Sequence, residues 1–417
     1  MSHPLARRLI LGIAFSALGT GLTMPFLYVY LSQARGIPTQ TVGFIFAWMG
    51  IVSFIAAPFG GTLIDRFGPR PIMLAGLVVE AITTYLIGHV STVGQAVVVA
   101  TLVCLGTVGL YPATTAMLTR LVPEDERQRA YGIQFMLMNA GFGIGGIVSS
   151  VIIDVTSIAS FQLLYLIDAL SYVGYIIVVL TLPRSAGSLA SVTDATAPDE
   201  APADGGWREV LADRTMLRFV LVSIVVVTFG YAQMEAGFTA YATQTGGVPA
   251  NRLGWAYAAN TGVIVLGQLV ALRFIGGRSR SRLLAAAAAL WSFSWVVIAL
   301  SGRVDQTAAV VCAIVGLGLF GVGETLWAPV APAVVNDLAP EHLRGRYNSF
   351  QSMVWTVAGV IGPASAGLLL GNQQAGWWVV AVVGGTALAA LMFLELHRHL
   401  TPDQDGRADI ASGVAAH

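Results

Sequence analysis

Twelve apolar runs, each long enough to cross a lipid bilayer as an α-helix, occupy most of this 417-residue chain. A membrane-spanning helix needs about 20 apolar residues, and runs of that length recur from residue 9 to residue 396, separated by short polar loops. The composition agrees, since 56% of the residues are hydrophobic, 11% are charged and the mean hydropathy is +0.74. The pattern predicts an all-α integral membrane protein with twelve transmembrane helices.

The arginine positions indicate how these helices are oriented. All 22 basic residues are arginine, and three of them, Arg35, Arg252 and Arg303, fall in loops after odd-numbered helices. The others lie in the tails or in loops after even-numbered helices. Basic residues are retained on the cytoplasmic side of a membrane protein, so we expect both termini to be cytoplasmic.

The chain contains two copies of one six-helix unit. The segment LVPEDERQR at 121–129 matches LAPEHLRGR at 338–346, and RGIPTQTVG at 35–43 recurs as GGVPANRLG at 246–254. Because six is an even number, both copies would have the same orientation in the membrane. This predicts a parallel repeat about an axis along the membrane normal.

The repeats set the predicted domain boundaries. We expect an N-terminal six-helix bundle at 1–182, a linker at 183–214, a C-terminal six-helix bundle at 215–399 and a tail at 400–417. The linker is rich in Ala, Ser, Pro, Asp and Gly, which disfavours a packed core, and it ends in a segment with apolar residues at helical spacing. We predict a short interfacial helix there, and a cytoplasmic location for linker and tail.

The loop after the second helix reads GTLIDRFGPRP at 61–71, which fits the pattern GxLxDRxG followed by a basic residue. We expect Gly61 to permit close helix packing, Gly68 to permit the turn, and Asp65 to face arginines and a helix N-terminus. The motif resembles the loop between helices 2 and 3 of the major facilitator superfamily, and twelve helices with a central linker agree over the whole chain. The resemblance implies the major facilitator fold, with two pseudo-symmetric six-helix bundles, and a gating loop formed by Gly61, Asp65, Arg66, Gly68 and Arg70.

Two departures from that loop pattern bear on the gate. Pro69 stands where the family commonly has a basic residue, which weakens the charge network. The corresponding loop of the second half, RFIGGRSRSR at 273–282, keeps basic residues but contains no acid. We therefore expect an asymmetric gate. An ordinary basic loop would account for the arginines, but not for the glycines and Asp65.

Helix 5 carries NAGFGIGGIVSS at 139–150, a partial match to the pattern NxGxxxGPxxGG of the drug/proton antiporter branch of the family. Asn139, Gly141 and Gly145 agree with that pattern, whereas Gly146 replaces its proline and two serines replace its last glycines. Close packing of glycines between helices explains the same residues equally well. Leu102 replaces an arginine that these antiporters often carry in helix 4, so a helix-4 arginine relay is excluded.

Five acids lie inside the apparent spans, where an ionised side chain costs about 2.5–3.5 kcal/mol on insertion scales. They are Glu80, Asp154, Asp168, Glu235 and Glu324. Asp154 is near the outer end of helix 5, where water can solvate it. Glu80 and Asp168 are possible additional functional acids, with structural packing as an equal alternative.

Glu235 in helix 7 and Glu324 in helix 10 each have aromatic neighbours on their own helical face. The two segments resemble those of proton-coupled multidrug exporters, which carry an acid after a glutamine, here Gln233, and a Gly-Glu pair, here Gly323 and Glu324. The resemblance implies that Glu235 and Glu324 couple protons or bind cations. Burial disfavours an ionised carboxyl and a bound cation favours it, so a proton and a cation would compete. The alternative for each is a neutral, hydrogen-bonded packing residue.

Aromatic and polar side chains in the spans are candidate substrate contacts, because aromatic faces bind flat lipophilic cations. Most aromatic residues in membrane helices face neighbouring helices or lipid, so packing is the alternative for each of them. The candidates are Phe26, Tyr30, Tyr111, Phe135, Asn139, Phe142, Tyr231, Gln233, Tyr257, Trp327 and Trp355.

Several other functional classes fit the sequence less well. The chain has no lysine, no HExxH and no GxSxG motif, and both cysteines, Cys104 and Cys312, lie in apolar runs. We therefore expect no enzyme activity, no cofactor, no metal and no nucleic-acid partner. A nontransporting receptor would not need two mid-membrane acids, and anion uptake would require arginine deep in a span.

The sequence predicts a proton-coupled secondary transporter that exports lipophilic, cationic small molecules by alternating access, as in multidrug efflux. A proton-coupled sugar or metabolite transporter of the same fold stays open as the alternative. We expect the partners to be small-molecule substrates, protons and the lipid bilayer. The expected location is the inner (cytoplasmic) membrane, and the expected state is a monomer.

Overall fold

The computed structural model describes residues 4–183, 206–340 and 343–407, apart from the side chains of 65, 124–129, 206, 269, 272, 344 and 345. Most of the predicted linker and residues 408–417 of the predicted tail lie outside these ranges. All regular structure within them is helical. The long helices are α1 Pro4–Ala34, α2 Thr39–Phe67, α3 Pro69–Ile87, α4 Val93–Leu121, α5 Glu124–Ile152, α6 Ile158–Thr181, α7 Arg214–Gln244, α8 Leu253–Ile275, α9 Arg280–Leu300, α10 Gln306–Leu338, α11 Arg344–Gly371 and α12 Ala375–Leu396.

The prediction of an all-α, multi-pass membrane protein is confirmed. Within the described ranges, 11 of these helices are long and apolar enough to cross a membrane. The remaining one, α8, is a 23-residue helix at the position of the eighth predicted span. A short helix, Gly206–Ala212, precedes α7 where the sequence predicts helical spacing.

Contacts divide the chain into two compact units. Unit 1 comprises Met1–Asp199 and Pro249–Ala258, and unit 2 comprises Glu200–Val248 and Ala259–His417. In unit 1, α1 packs against α5 and α6, and α3 packs against α4 and α6. In unit 2, α7 packs against α11 and α12, and α9 packs against α10 and α12. Each of these pairs recurs six helices later, so the duplication seen in the sequence extends to helix packing.

Glycines of the helix-5 motif set the close approach of α5 to α1. A Cβ at Gly141 would lie 2.8 Å from a backbone oxygen of α1, and a Cβ at Gly145 would overlap the backbone of Leu18 and Gly21. Gly21 in turn lies against the backbone of Phe142. These glycines therefore have a packing role in unit 1, as small residues do between membrane helices.

The first helix of each half loses regular α geometry in mid-span. In α1, a 3-10 turn at Met24–Phe26 precedes a π-helical segment at Tyr30–Ala34. In α7, Gly230 ends the first α-helical segment, and a 3-10 turn at Tyr231–Gln233 leads directly into a π-helical segment at Met234–Phe238. Such irregular turns within helices are frequent at functional positions, and this one contains Glu235.

Candidate functional site

Glu324 lies in the middle of α10 and is 8% exposed. The side-chain amide of Asn260 on α8 donates a 2.5 Å hydrogen bond to Glu324 Oε2, and it also donates to the Leu317 carbonyl oxygen at 3.3 Å. The Tyr231 hydroxyl is a second hydrogen-bond partner of this carboxyl group. Two donors from two other helices thus converge on one buried acid, which satisfies its oxygens in the ionised form.

The Gly-Glu pair of α10 has a packing explanation at its glycine. A Cβ at Gly323 would lie 2.6 Å from Trp291 Cδ1, so only glycine lets the indole of α9 lie this close to α10. The Trp291 ring stacks on Phe320 with a centroid distance of 4.8 Å and an interplanar angle of 4°, and its Nε1 donates to the Phe320 carbonyl oxygen at 3.0 Å. Trp291 and Phe320 therefore form a stacked aromatic pair beside Gly323 and Glu324.

Tyr231 packs against this aromatic pair and is itself partly exposed. Its ring packs edge-on against Trp355 at 5.0 Å and lies 6.4 Å from Trp291 and 6.2 Å from Phe320. Tyr231 and Trp355 are 37% and 43% exposed, although both lie within spans. The structure thus places two predicted substrate contacts, Tyr231 and Trp355, together beside Glu324.

Glu235 follows Tyr231 by one turn, in the π-helical segment of α7. Its side chain is exposed although it lies within a span. Among the described residues, no side chain donates a hydrogen bond to the Glu235 carboxyl group, and Tyr231 is close enough to interact with it electrostatically. Of the two unit 2 acids predicted to couple protons, Glu235 is thus the one without a side-chain hydrogen bond from the described residues.

Gln233 lies between Tyr231 and Glu235 in sequence, but its side chain is directed into the packed interior. Its Nε2 donates to the carbonyl oxygens of Thr228 and Gly362 at 3.1 and 3.2 Å and to Ser365 Oγ at 3.2 Å. Its Oε1 accepts from Trp378 Nε1 at 2.9 Å. The Gln233 side chain is 1% exposed, and both its nitrogen and its oxygen are hydrogen-bonded within the protein. In this conformation it stabilises helix packing and is not accessible to a substrate.

The two acids of unit 1 are enclosed. Asp168 on α6 is 2% exposed and accepts hydrogen bonds from Thr23 Oγ1 at 2.6 Å and from Ser171 Oγ at 3.4 Å. Glu80 on α3 is equally buried, its Oε1 has no partner in the described part of the chain, and its electrostatic neighbour is Asp168. A buried carboxyl oxygen without a hydrogen-bond partner costs free energy, so Glu80 has a less favourable environment than Asp168.

Of the predicted gating-loop residues, Gly61, Asp65 and Arg66 lie near the end of α2, Gly68 lies between the two helices, and Arg70 lies in the first turn of α3. Gly68 has φ 82° and ψ 158°, a conformation that favours glycine, as expected for the turn. Arg70 Nη2 donates to the carbonyl oxygens of Val179 and Leu180 at 3.4 and 3.1 Å. These carbonyl groups lie at the C-terminal end of α6, where the helix dipole favours a cation. Arg66 lies over the Phe67 ring at 5.3 Å. The side chain of Asp65 is outside the described set.

The packing expected at Gly61 occurs instead at its neighbour. A Cβ at Gly61 would meet no heavy atom within 4 Å among the described residues, whereas a Cβ at Gly60 would overlap the Val108 carbonyl oxygen of α4. The close approach of α2 to α4 therefore depends on Gly60, because that residue faces the turn at which α4 is interrupted.

The other predicted substrate contacts differ in accessibility. Asn139 is half-buried and donates to the Phe135 carbonyl oxygen of its own helix at 2.9 Å, and Tyr30 donates to the Gly88 carbonyl oxygen at 2.8 Å. Tyr111 and Phe135 are exposed, Phe142 is half-buried, and Phe26, Tyr30, Tyr257 and Trp327 are buried. In the described ranges, no group of His, Cys, Asp and Glu could hold a metal ion.

Sequence reasoning missed two residues of the unit 2 site, Asn260 and Trp291, and it placed Phe320 only on the same helical face as Glu324. Asn260 could have been found, because an amide in an apolar run needs a polar partner, and Glu324 is such a partner. Trp291 and Phe320 are ordinary aromatic residues in apolar helices. Their stacking depends on how α9 packs against α10, and no local pattern indicates it.

Two helical units with buried acids and interrupted helices are the architecture of a secondary transporter. The family model described as Major Facilitator Superfamily matches residues 9–321 and 238–416. Over 403 residues the chain is 25% identical to the uncharacterized MFS-type transporter YqjV of Bacillus subtilis, with 94% of this chain and 93% of that protein covered. It is 24% identical over 381 residues to the multidrug resistance protein MdtH of Photorhabdus laumondii, with 90% of each covered.

Solved structures agree on the fold. The crystal structure of the peptide transporter POT in complex with sulfate matches with a TM-score of 0.74 at 14% identity, over 95% of both chains. The chain belongs to the Major Facilitator Superfamily. The fold expected from the loop at 61–71 is thus confirmed.

Proposed function

We propose that this chain is a proton-coupled exporter of lipophilic, cationic small molecules. The observation that carries the proposal is the combination, in unit 2, of an accessible carboxylate at Glu235 with the edge-packed rings of Tyr231 and Trp355. A carboxylate beside aromatic faces attracts a lipophilic cation through charge and through cation–π interaction. The similarity to a protein named for multidrug resistance supports this substrate class.

In this proposal Glu324 exchanges the proton. Its aromatic surroundings favour the neutral form, while hydrogen bonds from Asn260 and Tyr231 stabilise the ionised form once the proton has left. Tyr231 also interacts electrostatically with Glu235, so it is common to both acids. A cation bound at Glu235 would therefore change the electrostatic environment of Glu324, which provides competition between cation and proton.

The driving force would be proton entry into the cytoplasm by alternating access. A membrane potential supplies about 2.3 kcal/mol per charge per 100 mV. This direction requires the orientation indicated by the arginines, with both termini in the cytoplasm, and we propose the cell (inner) membrane as the location. The loop at 61–71 is proposed as the gate, with Asp65, Arg66 and Arg70 as its charged residues.

The test is transport in inverted membrane vesicles with an imposed pH gradient and the fluorescent cation ethidium. Glu235→Gln and Glu324→Gln should each reduce gradient-driven uptake by roughly tenfold or more, the factor that corresponds to about 1.4 kcal/mol. Asp154→Asn is the matched control, because Asp154 is an exposed acid at a helix end whose carboxylate bonds only to Thr156 in the described structure.

Three results distinguish the outcomes. Loss of uptake in both glutamine variants, with normal uptake in the control, supports the coupling assignment. Full gradient-driven uptake in both variants contradicts it. If no cation is moved but a neutral sugar is, the sugar or metabolite transporter replaces the efflux proposal.

A further inference from the structure

The segment after α12 folds into a compact turn, Thr401–Arg407, which we name the C-terminal turn. Its backbone closes on itself, since the Asp405 amide donates to the Thr401 carbonyl oxygen at 3.0 Å and the Arg407 amide donates to that of Pro402 at 2.8 Å. Gly406 has φ 71°, which favours glycine. The turn is thus an ordered structure at the end of the described chain.

Asp405, within this turn, is directed at the start of α9. Its Oδ1 accepts from the Ser281 amide at 2.9 Å, its Oδ2 accepts from Ser279 Oγ at 2.7 Å, and its carbonyl oxygen accepts from the Arg280 amide at 2.9 Å. His397 Nδ1 lies 2.9 Å from Oδ2. The side chain is fully buried. A residue 124 positions along the chain from Ser281 therefore caps α9.

The electrostatics of this contact favour the ionised carboxylate. The pKa of Asp405 lies below its ordinary value, because hydrogen bonds from Ser281 and Ser279 and the charge of His397 outweigh the opposing effect of burial. Arg407 Nε is also 2.9 Å from Oδ2, as an ion pair. Ser279 is the N-cap residue of α9 and accepts from the Arg282 amide, whereas the amides of Arg280 and Ser281 would lack partners without Asp405. A carboxylate at a helix N-terminus also stabilises the helix dipole.

Arg280 extends the contact to a third helix. It forms an ion pair with Asp337 near the end of α10, and its Nη1 donates to the Gln404 carbonyl oxygen at 3.2 Å. The C-terminal turn, the start of α9 and the end of α10 are therefore joined within unit 2. The titratable and charged groups that meet there are Asp405, His397, Arg407, Arg280 and Asp337.

The loop that receives this contact is the second-half counterpart of the gating loop. Arg66 and Phe67 correspond to Arg273 and Phe274, and both loops contain a glycine with positive φ, Gly68 at 82° and Gly277 at 68°. The two loops differ at the position of the acid. Leu272 aligns with Asp65, so the second loop has no carboxylate of its own.

We propose that the C-terminal turn supplies this missing acid, and that Asp405 is a positioning residue which holds the loop between α8 and α9 in the conformation that transport requires. The requirement for transport rests on the proposed function, while the capping of α9 does not. Asp405 touches no part of the Glu235 site, so its effect on transport would be through the loop.

The first experiment is hydrogen exchange on the full-length protein in lipid nanodiscs, with wild type, Asp405→Asn and Asp403→Asn. A carboxamide has an NH2 donor in place of one acceptor oxygen and carries no charge, so it cannot accept from Ser281 and Ser279 on separate oxygens or form an ion pair with Arg407. We expect the amides of Arg280 and Ser281 to exchange roughly tenfold faster or more in Asp405→Asn. Asp403→Asn, the same change at an exposed position two residues earlier, should leave them unchanged. Equal protection in all three proteins overturns the proposal.

The second experiment measures initial rates of ethidium uptake in inverted vesicles over a range of ethidium concentrations. A positioning role predicts a severalfold lower maximal rate for Asp405→Asn with an unchanged half-saturating concentration, because the substrate site is intact. Faster exchange with wild-type rates would show a purely structural cap and overturn the transport part of the proposal. If wild type moves no ethidium, the efflux proposal fails, while the exchange result still decides the capping.

Discussion

Unit 1 and unit 2 contain the same helix pairs, yet their membrane-embedded acids have different surroundings. In unit 1, Asp168 is buried beside Thr23, and Glu80 is buried without a partner for Oε1 among the described residues. In unit 2, Glu235 is accessible and Glu324 lies just behind the accessible ring of Tyr231. A duplicated scaffold can thus enclose both acids of one half and leave one acid of the other, Glu235, exposed. We infer that exchange chemistry belongs to unit 2.

The largest effect is expected when one acid in each unit is neutralised. Glu80→Gln should retain gradient-driven ethidium uptake within about twofold, because the amide replaces a buried acid that lies outside the exchange site proposed for unit 2. Glu235→Gln should lose roughly tenfold or more. Uptake assays on matched amounts of protein in vesicles compare the two. Equal losses in both variants would show that unit 1 takes part in exchange and would remove the distinction.

A smaller effect should follow from removing the donor to the enclosed acid of unit 1. Thr23→Val keeps the shape of the side chain but leaves Asp168 with only the 3.4 Å contact from Ser171. A buried acceptor without its donor costs about 1–3 kcal/mol, so thermal unfolding should occur several degrees lower. Thr107→Val is the control, since this exposed hydroxyl bonds only to carbonyl oxygens of its own helix. Equal melting temperatures for the two variants would contradict a structural role for the Thr23 contact.

The smallest effect concerns the pH dependence of the C-terminal turn in unit 2. Because the folded-state pKa of Asp405 lies below its ordinary value of 3.8, the stabilisation is complete above that value and is lost as the pH falls through the folded-state pKa. Wild type should therefore exceed Asp405→Asn in stability by about 1–2 kcal/mol near neutral pH. The difference in melting temperature should shrink below about pH 4. A difference that persists unchanged at low pH would assign the stabilisation to something other than the ionised carboxylate.

Much of the fold could be predicted because the decisive features are local in sequence. Apolar length fixes the spans, and the positive-φ turn at Gly68 follows from glycine in a recognisable loop. The position of Glu324 in a span is conspicuous for the same reason. Long-range contacts could not be predicted in this way. The Asn260 to Glu324 hydrogen bond and the Trp291 to Phe320 stack depend on how separate helices pack.

The C-terminal turn shows the same limitation more strongly. Reading the loop at 273–282 alone indicates a degenerate copy without an acid, which is correct for the loop but incomplete for the structure. The carboxylate comes from Asp405, after the last transmembrane helix, and no periodicity or motif links it to Ser281. Sequence comparison between the two halves identifies what is missing, and only the folded chain shows what replaces it.

The interruption of α7 leaves backbone carbonyl groups without their helical partners inside a membrane span. Hydrocarbon offers no water to a carbonyl group released from a helix, so every such group must find a partner within the protein. At the break after Phe229, the carboxamide of Gln233 provides that partner, since it donates to Thr228 of its own helix and to Gly362 of α11. The glutamine thus does for the backbone what solvent would do in a soluble protein, and it allows Glu235 to lie on a helix that is not continuous.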